Sequence, residues 1–370
     1  MNPRPLSLPK APSFTVGISE DKGVRRTMED AHTLVSDFDN VRGQGFFAVF
    51  DGHAGKHAAE WCGQHFHESL LKCLRNSPDL PIPDVLNEAF HAVDANLSRI
   101  CEESEGKIHS GCTAVTAFLR FEEADGKQAF RSHLSPLETP HSERNISLGQ
   151  EPGEGDDSSG IESGPDNDSK PRKKKTSRFK KAMRSLGSLS PKSSNPNLAR
   201  KSSPPAGPPA PLITPPPGTK RVLYSANVGD ARGVLCRGGK AIRLTYDHKG
   251  SDKQEAKRIT DAGGFVMSGR VNGVLAVTRS LGDSSMKEFV VGAPYTTETE
   301  LCDEDEFLIL ACDGLWDVST DQAAVDLIRD MNDAQYASQK LLKYALSHHT
   351  SDNVTVCVVI FKNSGPPKSA

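Results

Sequence analysis

The spacing of apolar residues along the chain predicts many short strands and four helices. Apolar runs or apolar–polar alternation between turn-forming residues predict strands over 14–19, 24–35, 45–50, 112–120, 221–228, 232–236, 241–245, 307–312 and 354–361. Apolar positions that recur every three or four residues predict helices over 58–74, 85–101, 322–331 and 334–347.

The order of these elements favours an α+β fold with antiparallel sheets. Strands and helices come in blocks, whereas a doubly wound parallel sheet requires strict alternation of strand and helix. The strands after residue 220 are separated by the turn pairs Gly229-Asp230 and Gly238-Gly239, which are typical of antiparallel connections.

A long stretch without this pattern, 128–219, is predicted to be a disordered, low-complexity insertion. It is rich in Pro, Ser and Gly, and an acidic block precedes the basic run PRKKKTSRFKK. Such a composition buries too little apolar surface to offset the backbone entropy lost on folding. We therefore expect one domain built from 13–127 and 220–362, with flexible termini at 1–12 and 363–370.

Charge and cysteine content narrow the class of protein. The chain of 370 residues has a formal net charge of -3, which gives no indication of a nucleic-acid partner, and it has no apolar run long enough to span a membrane. Its eight cysteines are scattered, as expected for reduced thiols of an intracellular protein. The basic run is typical either of a nuclear-import signal or of a solvated charged segment, and we expect the protein in cytoplasm and nucleus.

Acidic residues stand at or beside four predicted strands. They are Glu29 and Asp30 in RRTMEDAH, Asp51 in FDGH, Asp313 in CDGLWD and Asp352 in SDNVTV. A carboxylate at the end of an apolar strand is costly to desolvate without a partner, and a glycine after it lets ligands come close. Divalent cations would relieve the repulsion among such carboxylates, and oxygen ligands select Mg²⁺ or Mn²⁺ over Zn²⁺.

Each of these signals also has a simpler explanation when it is taken alone. An isolated Asp-Gly pair is usually a turn, and Asp352-Asn353 is typical of a turn or a helix cap. His53 and His57 have the spacing of half a zinc site, but no third ligand follows nearby. The joint occurrence of the acidic segments nevertheless favours a metal site.

The segments that carry these residues resemble, in chain order, the motifs of the metal-dependent Ser/Thr protein phosphatases (the PPM, or type 2C, family), and in particular its small fungal-type members. The resemblance covers roughly 13–125 and 220–362. One departure is Gly250, since the family usually has proline after DHK. The matching segments are RRTMEDAH, FFAVFDGHAG, SGCTAV, SANVGDARGVL, LTYDHK, RVNGVLAVTRSLGD, LILACDGLWDV and SDNVTVCVVIF.

The resemblance implies an α-β-β-α sandwich, in which two packed antiparallel sheets flanked by helices bind two Mg²⁺ or Mn²⁺ ions at one end. The implied ligands are Asp51, which bridges both ions; Asp313 and Asp352 on the first ion; Glu29 and the Gly52 carbonyl on the second, with Asp30 acting through water; and Asp230 and Asp317 at a weaker third site.

The resemblance also implies the roles of two further side chains. Arg25, four residues before the glutamate of its motif, matches the arginine that holds the substrate phosphate, and His53 matches the general acid. A water bridging two cations is deprotonated near neutral pH and can attack the phosphorus directly, while the Ser or Thr alkoxide needs a proton to leave. The segment 264–274 matches a mobile flap beside the site.

These roles predict a protein phosphatase that hydrolyses phosphoserine and phosphothreonine and opposes kinase signalling. Its expected partners are phosphorylated proteins, including kinases of stress-signalling cascades, and not nucleic acid or membranes; we expect a monomer. Two alternatives stay open: a catalytically inactive binding module of the same fold, and a two-metal nuclease or other phosphoesterase. Turnover of a phosphopeptide against an oligonucleotide with Mn²⁺ separates the three.

Overall fold

The computed structural model describes residues 13–131 and 212–362. The termini that we expect to be flexible, 1–12 and 363–370, lie outside the described residues, as does most of the predicted insertion. Within the described ranges, no helix is long and apolar enough to cross a membrane. All eight cysteines fall inside these ranges and are free thiols.

The strands and helices of the described residues, in chain order, have the following bounds. The strands are Phe14–Asp21 (β1), Ala31–Ser36 (β2), Gly45–Phe50 (β3), Gly52–His53 (β4), Gly111–Cys112 (β5), Ala114–Glu122 (β6), Lys220–Val228 (β7), Arg232–Arg237 (β8), Lys240–Arg243 (β9), Val266–Met267 (β10), Arg270–Val271 (β11), Leu281–Gly282 (β12), Tyr295–Glu300 (β13), Asp305–Ala311 (β14) and Val354–Phe361 (β15). The helices are His57–Asn76 (α1), Ile82–Glu103 (α2), Lys253–Asp261 (α3), Asp313–Trp316 (α4), Asp321–Ile328 (α5) and Ala334–Ser347 (α6).

Two antiparallel five-stranded sheets form the centre of the fold, and the predicted α-β-β-α sandwich is confirmed. Their strand orders are β1-β15-β14-β8-β9 and β13-β7-β6-β3-β2. One apolar core lies between the two sheets, a second between the β3 sheet and helices α1 and α2, and a third between the β14 sheet and helices α4 to α6. A small sheet of β12, β5 and β4 lies beside the larger ones.

Strand β3 is buried on both faces, which explains its unbroken apolar sequence. Phe46 faces the helical layer and lies parallel to Phe66, with ring centroids 5.8 Å apart. Phe47 faces the opposite sheet and meets Phe14 edge to face at 5.0 Å. Every residue of the strand is buried. A central strand covered on both faces shows no alternation of apolar and polar residues.

Apart from short elements of two to four residues, the structure differs from the sequence-based expectation chiefly in three elements. The predicted strand over 24–35 begins only at Ala31, because the preceding residues form a loop. Helix α3 was not predicted, since only Glu255 and Ile259 on it are buried and it carries no apolar stripe. Strand β13 was missed because it lies at a sheet edge and reads YTTETE.

The described structure extends into both ends of the predicted insertion. A short 3₁₀ helix covers Ala129–Arg131. On the other side, Ile213 forms a parallel bridge with Val41. The Arg42 amide donates to the Ile213 carbonyl at 2.7 Å, and the Ile213 amide donates to the Asn40 carbonyl at 2.8 Å. These two hydrogen bonds fasten the chain to the domain just before β7.

Candidate active site

Asp51 lies where the buried strand β3 ends and the short strand β4 begins. Its carbonyl accepts a hydrogen bond from the Thr113 amide at 2.8 Å. The next residue has to be glycine, because a Cβ at Gly52 would collide with the carbonyl oxygen of Glu29. The Asp-Gly pair therefore brings the loop that carries Glu29 directly against the end of β3.

Asp51 is the centre of a cluster of carboxylates. One oxygen each of Asp51, Asp230 and Asp313 lie within 4.8 Å of one another, and Asp51, Asp30 and the Cys312 sulfur form a second group by the same measure. Asp313 begins helix α4 at the end of β14. Strands β3 and β14, which belong to opposite sheets, thus bring their terminal aspartates to the same end of the sandwich.

Burial and mutual repulsion raise the pKa values of these carboxyls. Burial is the larger cause for Asp313, whose pKa rises to about 8, and the charges of Asp230, Asp317 and Asp352 add to it. Burial also raises the pKa of Asp51 well above its usual range, with contributions from four neighbouring aspartates. The cluster therefore holds more negative charge than its own partners neutralise.

Asp30 has a carboxylate oxygen that is left without a partner inside the cluster. One of its carboxylate oxygens accepts from the Thr355 hydroxyl at 2.7 Å, whereas the other, Oδ1, is buried without a hydrogen-bond partner. Burial raises the pKa of Asp30 to about 6. Buried carboxylate oxygens without a donor are the ligands that Mg²⁺ and Mn²⁺ prefer. The residues therefore fit the hard divalent cations that the sequence predicts.

The two aspartates predicted for a third ion meet a lysine. Lys249 Nζ lies 3.2 Å from Asp230 Oδ2 and 3.6 Å from Asp317 Oδ1. Burial raises the pKa of Asp230, and the Lys249 ammonium opposes that rise. The structure thus brings Asp230 into the central cluster and leaves Asp317 on the exposed side of Lys249.

Glu29 is held at the edge of this cluster by two donors. Its carboxylate accepts from the Thr27 hydroxyl and from the Gly55 amide, both at 3.1 Å. It does not fall within either of the two tight acidic groups found among the described residues.

Arg25 and Asp352 form an ion pair near the cluster. Arg25 Nη2 lies 2.5 Å from Asp352 Oδ2, and Nε donates to the Ser351 carbonyl at 3.0 Å. The guanidinium remains about half exposed. Asp352 is close enough to the centre for its charge to raise the pKa values of Asp51 and Asp313. The guanidinium of Arg25 therefore has a fixed orientation beside the carboxylates and is still accessible to solvent.

His53 faces an aspartate that the sequence did not point to. Its Nε2 lies 2.7 Å from Asp283 Oδ2. The pair is brought together by the small sheet, because β4 pairs with β5 and β5 pairs with β12, which ends one residue before Asp283. The one signal in the sequence is that SLGD also pairs an aspartate with a glycine, although here the glycine comes first, whereas in FDG and CDG the aspartate comes first.

Asn353 is a second residue whose role was not predicted. Its side chain accepts from the Glu29 amide at 2.8 Å and donates to the carbonyls of Lys22 and Thr27, both at 3.0 Å. Three hydrogen bonds from one buried amide thus hold the loop between β1 and β2. This loop carries both Arg25 and Glu29.

Comparisons with known proteins find similar chains over nearly the full length of this one. A family model described as Protein phosphatase 2C matches residues 14–124 and 216–354. The chain is 38% identical over 361 residues to Protein phosphatase 2C homolog 1 of Saccharomyces cerevisiae, covering 96% of this chain and 97% of that protein. It is 36% identical over 360 residues to Protein phosphatase 2C homolog 1 of Schizosaccharomyces pombe, covering 96% and 76% respectively. A solved phosphatase structure from Toxoplasma gondii has a similar fold, with a TM-score of 0.62 at 21% identity over 96% of this chain and 95% of that one.

Proposed function

Because the chain belongs to the protein phosphatase 2C family and is a protein serine/threonine phosphatase, we propose that its aspartate cluster binds two Mg²⁺ or Mn²⁺ ions and that it hydrolyses phosphoserine and phosphothreonine directly, without a covalent intermediate. The resemblance to type 2C phosphatases that the sequence motifs carry is confirmed. The observation that supports the proposal most is the group of Asp51, Asp230 and Asp313, which has raised pKa values and too few cationic partners.

The ligand assignment is the one that the resemblance implies, and the clustering of Asp51, Asp230 and Asp313 supports it. We assign Asp51 to both ions, with Asp313 and Asp352 on the first ion, and Glu29 and the Gly52 carbonyl on the second. Asp30 would act through water on its unpaired Oδ1. Asp230 and Asp317 would hold a weaker third ion. Bound divalent cations lower the pKa of water and neutralise phosphate charge, which supplies a nucleophile near neutral pH.

Two side chains of the protein would act on the substrate itself. Arg25 keeps Nη1 free of hydrogen bonds to the described residues, because Ser351 and Asp352 bind only Nε and Nη2. A guanidinium fixed in this way orients a phosphate oxygen at low entropic cost. His53, next to the Asp51-Gly52 ligand pair, would protonate the serine or threonine oxygen as the phosphorus–oxygen bond breaks.

The biological setting is proposed on the resemblance alone. We propose that the substrates include kinases of stress-signalling cascades, whose activity the enzyme would oppose, and that it acts as a monomer in cytoplasm and nucleus.

Turnover by the purified protein tests the proposed function. A phosphoserine peptide should be hydrolysed with added Mn²⁺ and not with EDTA, and an oligonucleotide should not be cleaved. Asp313→Asn should lower turnover by roughly 100-fold or more, because it removes a ligand. Asp326→Asn, on the exposed face of α5, is the matched control and should change little. Full activity of Asp313→Asn, activity in EDTA, or preference for the oligonucleotide would each overturn the proposal.

A further inference from the structure

Asp283 is held in a fixed position by contacts that do not involve the carboxylate cluster. Its Oδ2 accepts from the hydroxyl of Ser280, a fully buried residue, at 2.5 Å. The loop around it is fastened to helix α2 through Asp94, which accepts from the Gly282 amide at 2.9 Å and forms an ion pair with Lys287 at 2.6 Å. The carboxylate that meets His53 therefore cannot turn away from it easily.

The backbone around this pair includes one strained residue and one position that only glycine can occupy. Asp283 has a φ of 47°, in the left-handed region that costs a non-glycine residue free energy. On the neighbouring strand β5, a Cβ at Gly111 would collide with both Asp283 Oδ2 and His53 Nε2. A strained aspartate just after β12 and an obligatory glycine on β5 both serve the same hydrogen bond, which indicates that the bond has a function.

The two partners also differ in their exposure. The His53 side chain is 24% exposed and that of Asp283 is 9% exposed. His53 thus has one nitrogen, Nε2, turned inward to Asp283. Its other ring nitrogen, Nδ1, makes no hydrogen bond to any part of the chain that the structure describes. The pair therefore leaves Nδ1 as the nitrogen that can meet a substrate.

We propose that Asp283 is a positioning residue that orients His53, so that Nδ1 delivers the proton to the leaving oxygen of the substrate. This inference rests on the proposed function. A carboxylate bound to one imidazole nitrogen fixes the orientation and the tautomer of the ring. As the phosphorus–oxygen bond breaks, its electron pair goes to the serine or threonine oxygen, which takes the Nδ1 proton. His53 is left neutral with its proton on Nε2, and solvent water returns a proton to Nδ1.

Substrates with different leaving groups give the first test. A serine alkoxide needs a proton to leave, whereas nitrophenolate leaves almost unaided. Asp283→Asn should slow hydrolysis of a phosphoserine peptide by about 10–100-fold, and that of nitrophenyl phosphate by much less. Asp94→Asn is the matched control, since it loosens the same loop without touching His53 and should affect both substrates to the same extent. Equal losses on both substrates in Asp283→Asn would overturn the proposal.

A double-mutant comparison shows whether Asp283 acts through His53. In a His53→Gln protein, the added Asp283→Asn change should cause no further loss on the phosphopeptide. A multiplied loss, or a changed Mn²⁺ concentration for half-maximal activity, would mean that Asp283 supports the cation site or the fold instead. Gly111→Ala, which would push the pair apart, should reproduce the substrate-dependent loss of Asp283→Asn.

Nuclear magnetic resonance of the ring nitrogens reports on the pair without turnover. With ¹⁵N-labelled histidine, wild-type His53 should show a protonated, hydrogen-bonded Nε2, and this signal should change in Asp283→Asn. An unchanged signal would overturn the positioning role even if activity falls. If the wild-type protein hydrolyses no phosphopeptide with Mn²⁺ while the Nε2 signal is as expected, the proposed function fails and not the His53–Asp283 contact.

Discussion

The ammonium group of Lys249 lies 3.2 Å from Asp230 Oδ2, so a cation of the protein itself stands beside the central carboxylates. It reaches Asp317 as well, at 3.6 Å. Lys249 therefore neutralises part of the charge that divalent cations are expected to neutralise. Any ion held by Asp230 and Asp317 has to share these ligands with Lys249 or displace it.

Replacing Lys249 should lower the stability of the metal-free protein and increase the stabilisation that added metal provides. Lys249→Met leaves the buried Asp230 without its cationic partner, which should cost about 1–3 kcal/mol and lower the melting temperature by several degrees. Added Mn²⁺ should then raise the melting temperature more than in the wild type. Calorimetric titration should show tighter binding of the weakest ion. Lys253→Met, on an exposed position of α3, is the control; identical Mn²⁺ titrations for all three proteins would contradict the prediction.

The metal-free protein should become more stable as the pH falls through the neutral range. Burial is the main cause that raises the pKa of Asp313 to about 8 and that of Asp30 to about 6. An unfolded aspartate has a pKa of about 3.9. The folded protein thus binds these protons more tightly, and their stabilising effect is lost as the pH rises through the folded pKa values. The melting temperature in EDTA should therefore rise as the pH is lowered from about 9 to about 6.

Metal should remove this dependence on pH, because bound cations neutralise the same carboxylates. The control is Asp313→Asn, in which the slope above pH 7 should be smaller. If the melting temperature in EDTA falls as the pH is lowered through this interval, the carboxylates of the cluster do not repel one another as described above.

The loop that presents Arg25 should depend on the amide of Asn353. Asn353→Ala removes three buried hydrogen bonds and should lower the free energy of unfolding by about 1–3 kcal/mol. Because Arg25 would then be poorly oriented, KM for a phosphopeptide should rise as well. Asn353→Asp keeps the oxygen that accepts from the Glu29 amide but places its second, acceptor-only oxygen against the carbonyls of Lys22 and Thr27, so its melting temperature should be at least as low as that of the alanine variant. No change in either variant would contradict this role.

The fold could be predicted from the sequence wherever burial follows a simple period. Helix α1 and strand β3 lie close to their predicted bounds, since each has long apolar stretches that pack against other layers. The loop before Ala31 was wrongly predicted as part of a strand. Its backbone groups are satisfied by the side chain of Asn353, more than 320 residues away, and no local pattern reports such a partner.

The candidate site shows the same division between local and distant information. Asp51 and Asp313 could be singled out because each follows an apolar strand and precedes a glycine. Asp283 and Lys249 could not, because their importance comes from contacts made across the fold with His53 and Asp230. The resemblance to a family supplied the roles of residues that lie within motifs, and the structure was needed for the residues that support them.

The segment 132–211 should be dispensable for the chemistry. Replacing it with a short Gly/Ser linker should leave turnover of a small phosphopeptide within about threefold, because the entropy of closing a loop grows only slowly with its length. Extending the replacement through Ile213 removes the hydrogen bonds to Asn40 and Arg42 and should lower the melting temperature further. Loss of folding on replacing 132–211 alone would contradict the prediction.

The burial of β3 on both faces determines how screens of random variants of this enzyme have to be interpreted. No side chain between Gly45 and Phe50 reaches solvent, so almost any substitution there should deplete folded protein from the cell. Asp51 follows directly, and substitutions at this residue should leave abundant but inactive protein. An activity screen alone would score both groups as equal losses. A parallel measurement of protein abundance would separate the two groups. The change from substitutions that unfold the protein to substitutions that only inactivate it should fall at the peptide bond between Phe50 and Asp51.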